Sequence, residues 1–293
     1  MHVPQRQIPG VYHRRIGEIV LTALSDGYLD GTVEVLQNID HGDAARMLAA
    51  AFRPGRRTSV NCFAIHFGGR LALIETGSGN YLQPTAGKLR SNLAAAGIEP
   101  DAVEVVLLTH MHPDHSAGLT DPQSGRRLFA NAELVVHENE PRHWNDDAAM
   151  AKASERAKKL YFQCARDQMA PYHNVMHTFS SATEVFPGVT SVPLHGHTPG
   201  HCGYMISSGS ESLLVWGDII HVPEIQVPRP EVTMEFDTDP DAAAATRRRT
   251  FEMVANERLL VAGMHIHFPG FAHLLRSAGG DYTMVPEPWV QAF

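Results

Sequence analysis

The sequence predicts a single domain of mixed α/β class. Apolar runs of six to nine residues recur along the chain between turn signals, as expected for buried strands. Stretches with helical spacing separate several of these runs, and no repeat, low-complexity tract or linker divides residues 1–293. A hydrophobic fraction of 43% and a charged fraction of 19% are typical of a folded domain with a substantial core.

Five strands and one helix are predicted before residue 138. The strands lie at residues 16–24, 60–67, 70–75, 103–109 and 132–137. Gly68-Gly69 predicts a hairpin between the second and third strands. The fourth, VEVVLLT, is a largely apolar run, which indicates a strand buried on both faces. Residues 86–98 have helical spacing and end at Gly97, a typical C-terminal helix signal.

Residues 138–177 interrupt this pattern because they are charged, alanine-rich and helical in spacing. We expect a helical insertion that covers a site, and an ordinary pair of packing helices is the alternative. Further strands are predicted at residues 188–194, 203–208, 212–217, 258–264 and 281–286. A helix is predicted at residues 239–257, capped by Asp239 with Pro240 in its first turn.

Composition limits the partners and the compartment. The 24 basic and 32 acidic residues give a net charge of −8, which argues against nucleic acid as a partner. The basic run Arg247-Arg248-Arg249 is interpreted as a solvated helix face. No run of about 20 apolar residues predicts a membrane span, and residues 1–17 lack the apolar segment of a signal peptide. The three isolated cysteines suggest reduced thiols, so we expect a cytoplasmic protein.

Histidines are clustered in the sequence. Nine of the 18 lie in three windows, residues 110–115, 195–201 and 265–273. Each window follows a predicted strand, and Asp218 follows another. Since the carboxyl ends of strands meet at one crevice in layered α/β folds, these side chains are expected to converge. Imidazole and carboxylate groups suit zinc, manganese, iron or cobalt.

The segment HMHPDH favours two metal positions over one. His110 and His112 lie two residues apart and can point the same way from an extended segment. Asp114 and His115 follow the turn at Pro113 and can face a neighbouring position. A single histidine is usually a core or surface residue satisfied by one hydrogen bond, but three windows at three strand ends argue against that interpretation.

These residues resemble the metallo-β-lactamase superfamily of binuclear metallohydrolases. The segments that carry the resemblance are HMHPDH (110–115), GHTPGHCGY (196–204), WGDIIH (216–221) and GMHIHFPG (263–270). The resemblance extends from about residue 16 to the end of the chain. It implies an αββα sandwich, in which two mixed sheets pack face to face with helices outside and metals at one rim.

The resemblance also implies the metal ligands, for two divalent ions with zinc as the default and manganese, iron or cobalt as alternatives. The first ion would be held by His110, His112 and His197. The second would be held by Asp114, His115 and His265, and Asp218 would bridge the two. His267 is the alternative to His265, but the pattern before Phe-Pro-Gly in related sequences selects His265.

Further candidates would surround these ligands. Glu75 stands where the family usually has an aspartate, and its longer side chain would have to support a ligand. His221 would orient a ligand or contact substrate, with a purely structural role as the alternative. His201 is interpreted as structural or supporting. Some lactonases use a tyrosine to stabilise the oxyanion, and the candidates here are Tyr161, Tyr172 and Tyr204.

Within the superfamily the chain is most similar to N-acyl-homoserine lactonases and methyl parathion hydrolase-like enzymes. The segments are LSDGYLDG (24–31), DIIHVPEIQVPRP (218–230) and HFPGFAHL (267–274). This implies hydrolysis of a small lactone or ester by water activated between the metals, with Asp114 and Asp218 as catalytic carboxylates. An N-acyl-homoserine lactone is the leading substrate, and an organophosphate or aryl ester is the alternative. A non-catalytic metal-binding protein is a third hypothesis, and a homodimer is compatible with the family.

Overall fold

The computed structural model describes residues 3–5 and 7–292. The strands, in chain order, are β1 (Val11–Ile16), β2 (Ile19–Gly31), β3 (Leu36–Gln37), β4 (Arg56–Phe67), β5 (Arg70–Ile74), β6 (Val105–Leu107), β7 (Glu133–His137), β8 (Met176–Phe179), β9 (Glu184–Phe186), β10 (Val189–Pro193), β11 (Cys202–Ser208), β12 (Glu211–Val215), β13 (Thr233–Met234), β14 (Leu260–Ala262), β15 (Phe271–Arg276) and β16 (Tyr282–Pro286). The α-helices are α1 (His41–Ala50), α2 (Leu89–Ala95), α3 (Pro113–Ser116), α4 (Asn139–Trp144), α5 (Asp147–Lys152), α6 (Glu155–Ala157), α7 (Cys164–Met169), α8 (Pro223–Gln226) and α9 (Pro240–Asn256).

Two mixed sheets form the centre of the molecule. The first has the order β1-β2-β4-β5-β6-β7-β8 and the second β16-β15-β14-β12-β11-β10-β9. The inner faces share one buried cluster, in which Leu21 and Phe63 of the first sheet join Tyr204 and Phe271 of the second. The helices pack on the outer faces, with α2 and α7 against the first sheet and α9 against the second. This is the αββα sandwich that the resemblance implied.

Most predicted elements are present, and the strands that were not predicted include the edge strand β1 and the interior strand β15. The hairpin at Gly68-Gly69 joins β4 and β5, and Gly97 has the left-handed φ of +72° expected beyond a helix end. The predicted strand 16–24 was wrong at its start because Gly17 turns the chain between β1 and β2. Strand β1 was not predicted, since its charged sequence VYHRRI forms an edge of the sheet.

The segment predicted as an insertion consists of short helices over residues 139–175. These are α4 to α7, a π-helix (Lys158–Gln163) and a 3-10 helix (Ala170–Val175). Strand β8 then pairs with β7, so the chain rejoins the first sheet directly after the insertion. None of the helices of the described residues is long and apolar enough to cross a membrane.

Arg247 corrects the interpretation of the basic run on α9. Its side chain is 1% exposed, whereas Arg248 and Arg249 are exposed as predicted. The guanidinium donates to the carbonyl of Ile219 at 2.6 Å. It also donates to the carbonyls of Pro230 and Val232, at 2.8 and 2.7 Å. Arg247 therefore ties α9 to the loops on both sides of α8.

We expect Arg247→Met to lower the free energy of unfolding by about 3 kcal/mol, because three carbonyls lose a charged donor and two of them are buried. Arg248→Met is the matched control and is expected to change stability by no more than about 0.5 kcal/mol. Urea denaturation of both variants measures the difference. Equal stability of the two would show that the carbonyls are satisfied without the guanidinium.

Candidate metal centre

The predicted ligands converge at one edge of the sandwich. His110 and His112 follow β6, and Asp114 and His115 lie on α3. His197, Asp218 and His265 follow β10, β12 and β14, which run in the same direction in the second sheet. Six of these seven side chains are buried, and only Asp114 is partly exposed, at 16% of its side chain.

The Asp218 carboxylate lies at the middle of this cluster. Its Oδ2 atom is 3.1 Å from His265 Nε2, 3.2 Å from His115 Nε2 and 3.4 Å from His197 Nε2. His110 Nε2 is slightly farther, at 3.7 Å. Asp114 Oδ2 approaches the same Nε2 atoms of His115 and His265, at 3.6 and 3.4 Å. One oxygen of Asp218 therefore faces both halves of the histidine cluster.

The donor atoms fit a metal centre. His110, His112 and His197 form one set of atoms within 4.8 Å of one another, and Asp114, His115 and His265 form another. Buried His110 Nε2, His115 Nε2 and Asp218 Oδ1 have no hydrogen-bond partner within the described part of the chain. Buried polar atoms of this kind are costly unless they bind something. Imidazole nitrogen and carboxylate oxygen are ligands for zinc and related divalent ions.

The second nitrogen of several histidines is held by a neighbouring group. Thr109 Oγ1 lies 3.0 Å from His110 Nδ1, and the Ser59 carbonyl lies 2.7 Å from His265 Nδ1. Asp237 Oδ1 lies 2.6 Å from His197 Nδ1, and Asp237 Oδ2 accepts from the backbone N–H of Met234. Such partners fix the ring orientation and select the nitrogen that faces the centre. Asp237 was not identified from the sequence.

Glu75, which stands where the family usually has an aspartate, lies beside His115. Its Oε2 is 3.5 Å from His115 Nδ1, and its Oε1 accepts from the backbone N–H of Thr109 at 2.9 Å. The residue has a left-handed φ of +66°, which is uncommon for a side chain of this size. Burial raises the pKa of Glu75, and His115 opposes that shift.

Glu140, at the start of the insertion, joins the two loops that carry His112 and His197. Its Oε2 accepts from the backbone N–H of Met111 at 2.9 Å and from Trp144 Nε1 at 2.7 Å. Its Oε1 accepts from Thr198 Oγ1 at 2.5 Å and from the backbone N–H of Gly200 at 2.9 Å. Burial raises the pKa of this carboxyl, and the four donors oppose the shift. No sequence motif pointed to Glu140.

The remaining histidines have different surroundings. His201 Nδ1 donates to the Leu194 carbonyl at 2.7 Å, and its Nε2 accepts from the backbone N–H of Asp218 at 2.9 Å, so His201 supports the Asp218 loop. His221 Nε2 lies 3.0 Å from Asp218 Oδ2, and its ring stacks on His265. His267 instead contacts Glu224 at 2.7 Å, at the rim. The geometry thus places His265, and not His267, inside the cluster.

A cavity of about 550 Å³ opens onto the centre. Its walls include His112, Asp114, Asp218, His221 and His265 from the cluster, apolar Leu29, Leu82, Leu160 and Phe236, and the cations Arg56, Arg156 and Lys159. Tyr161, from the π-helix, lies over His112 with ring centroids 4.8 Å apart. Burial, with the nearby Asp114 charge, raises the pKa of Tyr161 to about 12, so the hydroxyl stays protonated.

The other two tyrosine candidates do not lie in this cavity. Tyr172 is fully buried beneath the insertion, where its hydroxyl donates to the Leu119 carbonyl at 2.9 Å. The Tyr204 hydroxyl donates to the Leu108 carbonyl at 2.6 Å, inside the core between the sheets. Neither hydroxyl can reach a substrate, so the prediction of a substrate contact was wrong for both, and only Tyr161 remains.

Burial and neighbouring charges shift the pKa of the Asp218 carboxyl and the pKa values of the surrounding histidines. Desolvation raises the pKa of the Asp218 carboxyl, but the surrounding imidazoles outweigh it and hold that pKa well below its usual range. Burial lowers the pKa of His110 and of His112 well below the usual value. Burial would also lower the pKa of His115, His197 and His265, but the neighbouring carboxylates outweigh it and raise all three. Because these imidazoles must lose a proton before they bind a cation, the affinity of the centre for a metal is expected to rise with pH.

The comparisons with known proteins agree with this geometry. The profile of the metallo-beta-lactamase superfamily matches residues 55–265. The chain therefore belongs to that superfamily, and it is a hydrolase with a candidate metal site built from histidine and aspartate. A search of curated proteins found no match.

Several solved structures share the whole fold. The hydrolase AbOPH, of the beta lactamase superfamily, is 30% identical, with 98% of this chain and 100% of that chain covered and a TM-score of 0.91. AidC, a dizinc quorum-quenching lactonase solved with a product N-hexanoyl-L-homoserine, is 24% identical, with 97% and 99% covered and a TM-score of 0.89. A probable metal-dependent hydrolase from Staphylococcus aureus is 22% identical, with 94% and 100% covered and a TM-score of 0.76.

We expect Glu140→Gln to weaken zinc binding by about 10- to 100-fold and to lower the free energy of unfolding by about 2 kcal/mol. The amide would turn an N–H donor toward two groups that are themselves donors. Titration against a chromophoric chelator and urea denaturation measure the two effects. Glu138→Gln, on a partly exposed carboxylate two residues away, is the control. Wild-type zinc affinity in Glu140→Gln would contradict the positioning role.

Proposed function

We propose that the protein is a binuclear metal-dependent hydrolase that opens lactones, with N-acyl-homoserine lactones as the first substrates to test. The observation that carries the proposal is the pair of ligand sets around Asp218, which opens into a cavity with apolar walls. AidC, which shares the fold, is a dizinc lactonase, and its product is an acyl-homoserine.

In this proposal His110, His112 and His197 hold one ion, and Asp114, His115 and His265 hold the other. Asp218 would contribute to both sites, since its Oδ2 faces nitrogens from both sets. When bound, two divalent ions of this kind lower the pKa of a shared water toward neutrality and polarise the carbonyl of the substrate. Zinc is the expected metal, and manganese, iron and cobalt suit the same donors.

The residues of the chain then orient the substrate and hold protons. The protonated hydroxyl of Tyr161 has no partner among the described residues and faces the cavity, so it can donate to the developing oxyanion. Asp114 and Asp218 accept hydrogen bonds from the attacking water. Leu29, Leu82 and Leu160 provide an apolar wall for an acyl chain and exclude solvent from it.

Hydrolysis of organophosphates or aryl esters is the second candidate. Aromatic rings of Tyr81, Tyr161 and Phe236 line the same cavity and can stack on an aryl leaving group. The hydrolytic centre itself does not distinguish a carbonyl from a phosphoryl group, so the cavity walls decide between the candidates. A cytoplasmic location and a homodimer stay predictions from the sequence and the resemblance.

We expect zinc-loaded protein to hydrolyse a medium-chain N-acyl-homoserine lactone with a kcat/KM at least 10²-fold above that for an aryl phosphotriester, equivalent to about 2.7 kcal/mol of transition-state stabilisation. Removing the metal with a chelator should abolish both activities, and zinc should restore them. Asp218→Ala is expected to be inactive yet folded. A reversed preference would favour the second candidate, and full activity of Asp218→Ala would contradict the binuclear mechanism.

We expect Tyr161→Phe to lower kcat for the lactone by about 10- to 100-fold with little change in KM, because the hydroxyl acts on charge that develops in the transition state. Tyr81→Phe is the matched control, since Tyr81 lines the same cavity but its hydroxyl donates to the Lys159 carbonyl at 2.7 Å. Steady-state kinetics on both variants measure the difference. Equal kcat values for the two would exclude Tyr161 as the oxyanion donor.

A further inference from the structure

The cavity carries three cations that the proposed hydrolysis does not use. Arg56, Arg156 and Lys159 line it together with Asp30, Asp114 and Asp218. Asp30 is already paired, because its carboxylate accepts two hydrogen bonds from Arg57 at 2.7 and 2.8 Å. The other two carboxylates belong to the candidate metal centre. Across residues 3–5 and 7–292, no carboxylate lies within ion-pair distance, 4.0 Å, of any of the three cations.

Arg56 is held in one position at the cavity wall. Its Nε donates to the Thr32 carbonyl at 3.0 Å, and its Nη1 donates to Thr58 Oγ1 at 3.2 Å. A Cβ on Gly31 would overlap Arg56 Nη2, so the absence of a side chain at Gly31 makes room for the guanidinium. The two anchors use two of the five N–H groups, and the remaining donors can bind a ligand in the cavity.

Thr58 also links Arg56 to the candidate metal centre. The Thr58 hydroxyl donates weakly to the His221 carbonyl at 3.5 Å, and the next residue, Ser59, offers the carbonyl that orients His265. Burial lowers the pKa of Arg56, and the charge of Asp114 opposes that shift. A partly buried guanidinium that keeps free donors and has no carboxylate partner is well suited to bind an anion in two hydrogen bonds.

A smaller adjoining cavity of about 270 Å³ shares Arg56, Arg156 and Tyr161 with the first. Glu235 and Asp237 also line it, and neither makes an ion pair with either arginine in the described chain. Positive charge therefore lies where the two cavities adjoin beside Tyr161, and His112 of the cluster lines both of them. In a chain with a net charge of −8, such a local patch attracts anions selectively.

We propose that Arg56, with Arg156 at the rim, forms a subsite for a carboxylate on the substrate. Preferred substrates are then lactones or esters whose acyl part carries a negative charge away from the bond that is hydrolysed. This inference rests on the proposed hydrolase function, which leaves the far end of the substrate undefined. Arg56 binds and positions the substrate in this proposal, and it takes no part in breaking the bond.

The first experiment compares two esters on zinc-loaded protein, mono-4-nitrophenyl adipate and 4-nitrophenyl hexanoate. The acyl chains are equally long, and only the first ends in a carboxylate. We expect kcat/KM for the adipate ester to exceed that for the hexanoate ester by at least 10-fold, which corresponds to about 1.4 kcal/mol. The double variant Arg56→Gln/Arg156→Gln should abolish this preference and bring the two kcat/KM values to within about 3-fold of each other.

Two further variants separate the subsite from general effects. Gly31→Ala keeps every charge but displaces the guanidinium, and since Gly31 does not have a left-handed φ, alanine fits the backbone. This variant should lose the preference as the double variant does. Arg248→Gln removes one exposed positive charge on α9, outside the cavity, and should retain the preference. Equal hydrolysis of both esters by wild-type protein, or equal loss of both in the double variant, would overturn the subsite.

A binding measurement tests the subsite even if neither 4-nitrophenyl ester is hydrolysed, and the lactone assay tests the proposed function separately. Calorimetry on zinc-loaded protein compares adipate with hexanoate, so that any carboxylate–metal contact is common to both. Binding of adipate at least 10-fold tighter in wild type, and equal binding of the two in the double variant, would support the subsite on its own. Equal binding in wild type would reject it.

Discussion

A buried carboxylate surrounded by imidazoles is the constraint on which the rest of this molecule depends. Asp218 Oδ2 has five histidine nitrogens within 3.7 Å, the closest being His221 Nε2 at 3.0 Å. So many polar groups cannot be removed from water without partners, because each uncompensated group costs several kcal/mol. The fold provides partners for the outward nitrogens of three rings through Thr109, Asp237 and Ser59, each from a different segment, whereas several atoms that face the centre have none among the described residues.

The two sheets explain how groups so distant in sequence meet. Strands β10, β12 and β14 run in the same direction, so the residues that follow them lie at one edge of the second sheet. The end of β6 brings the HMHPDH segment to the same edge from the first sheet. Because the inner faces share one apolar cluster, the distance between the two edges is set by core packing. The histidines therefore occupy a geometry that the apolar residues determine.

Residues close to a strand end could be predicted from the sequence, and residues that act across the fold could not. His110, His112, His197, Asp218 and His265 each follow an apolar run, so pattern and resemblance were enough to bring them together. Glu140 and Asp237 are single carboxylates in helical or turn sequences, and nothing local distinguishes them from solvated acids. The prediction that Arg247 is solvated was wrong for the same reason. Its neighbours Arg248 and Arg249 are exposed, and the position of Arg247 on the helix did not by itself indicate burial.

The hydrogen bonds of Glu140 divide the insertion into two parts that differ in how readily their sequence can be replaced. Helix α4 carries both Glu140 and Trp144, and through them it belongs structurally to the loops of His112 and His197. The later helices, which supply Arg156, Lys159 and Tyr161, form cavity wall and share none of the four Glu140 hydrogen bonds. An engineer who grafts a different lid onto this scaffold should therefore make the junction after Trp144. A graft that begins at Asn139 would replace the substrate wall and loosen the histidine loops in the same step.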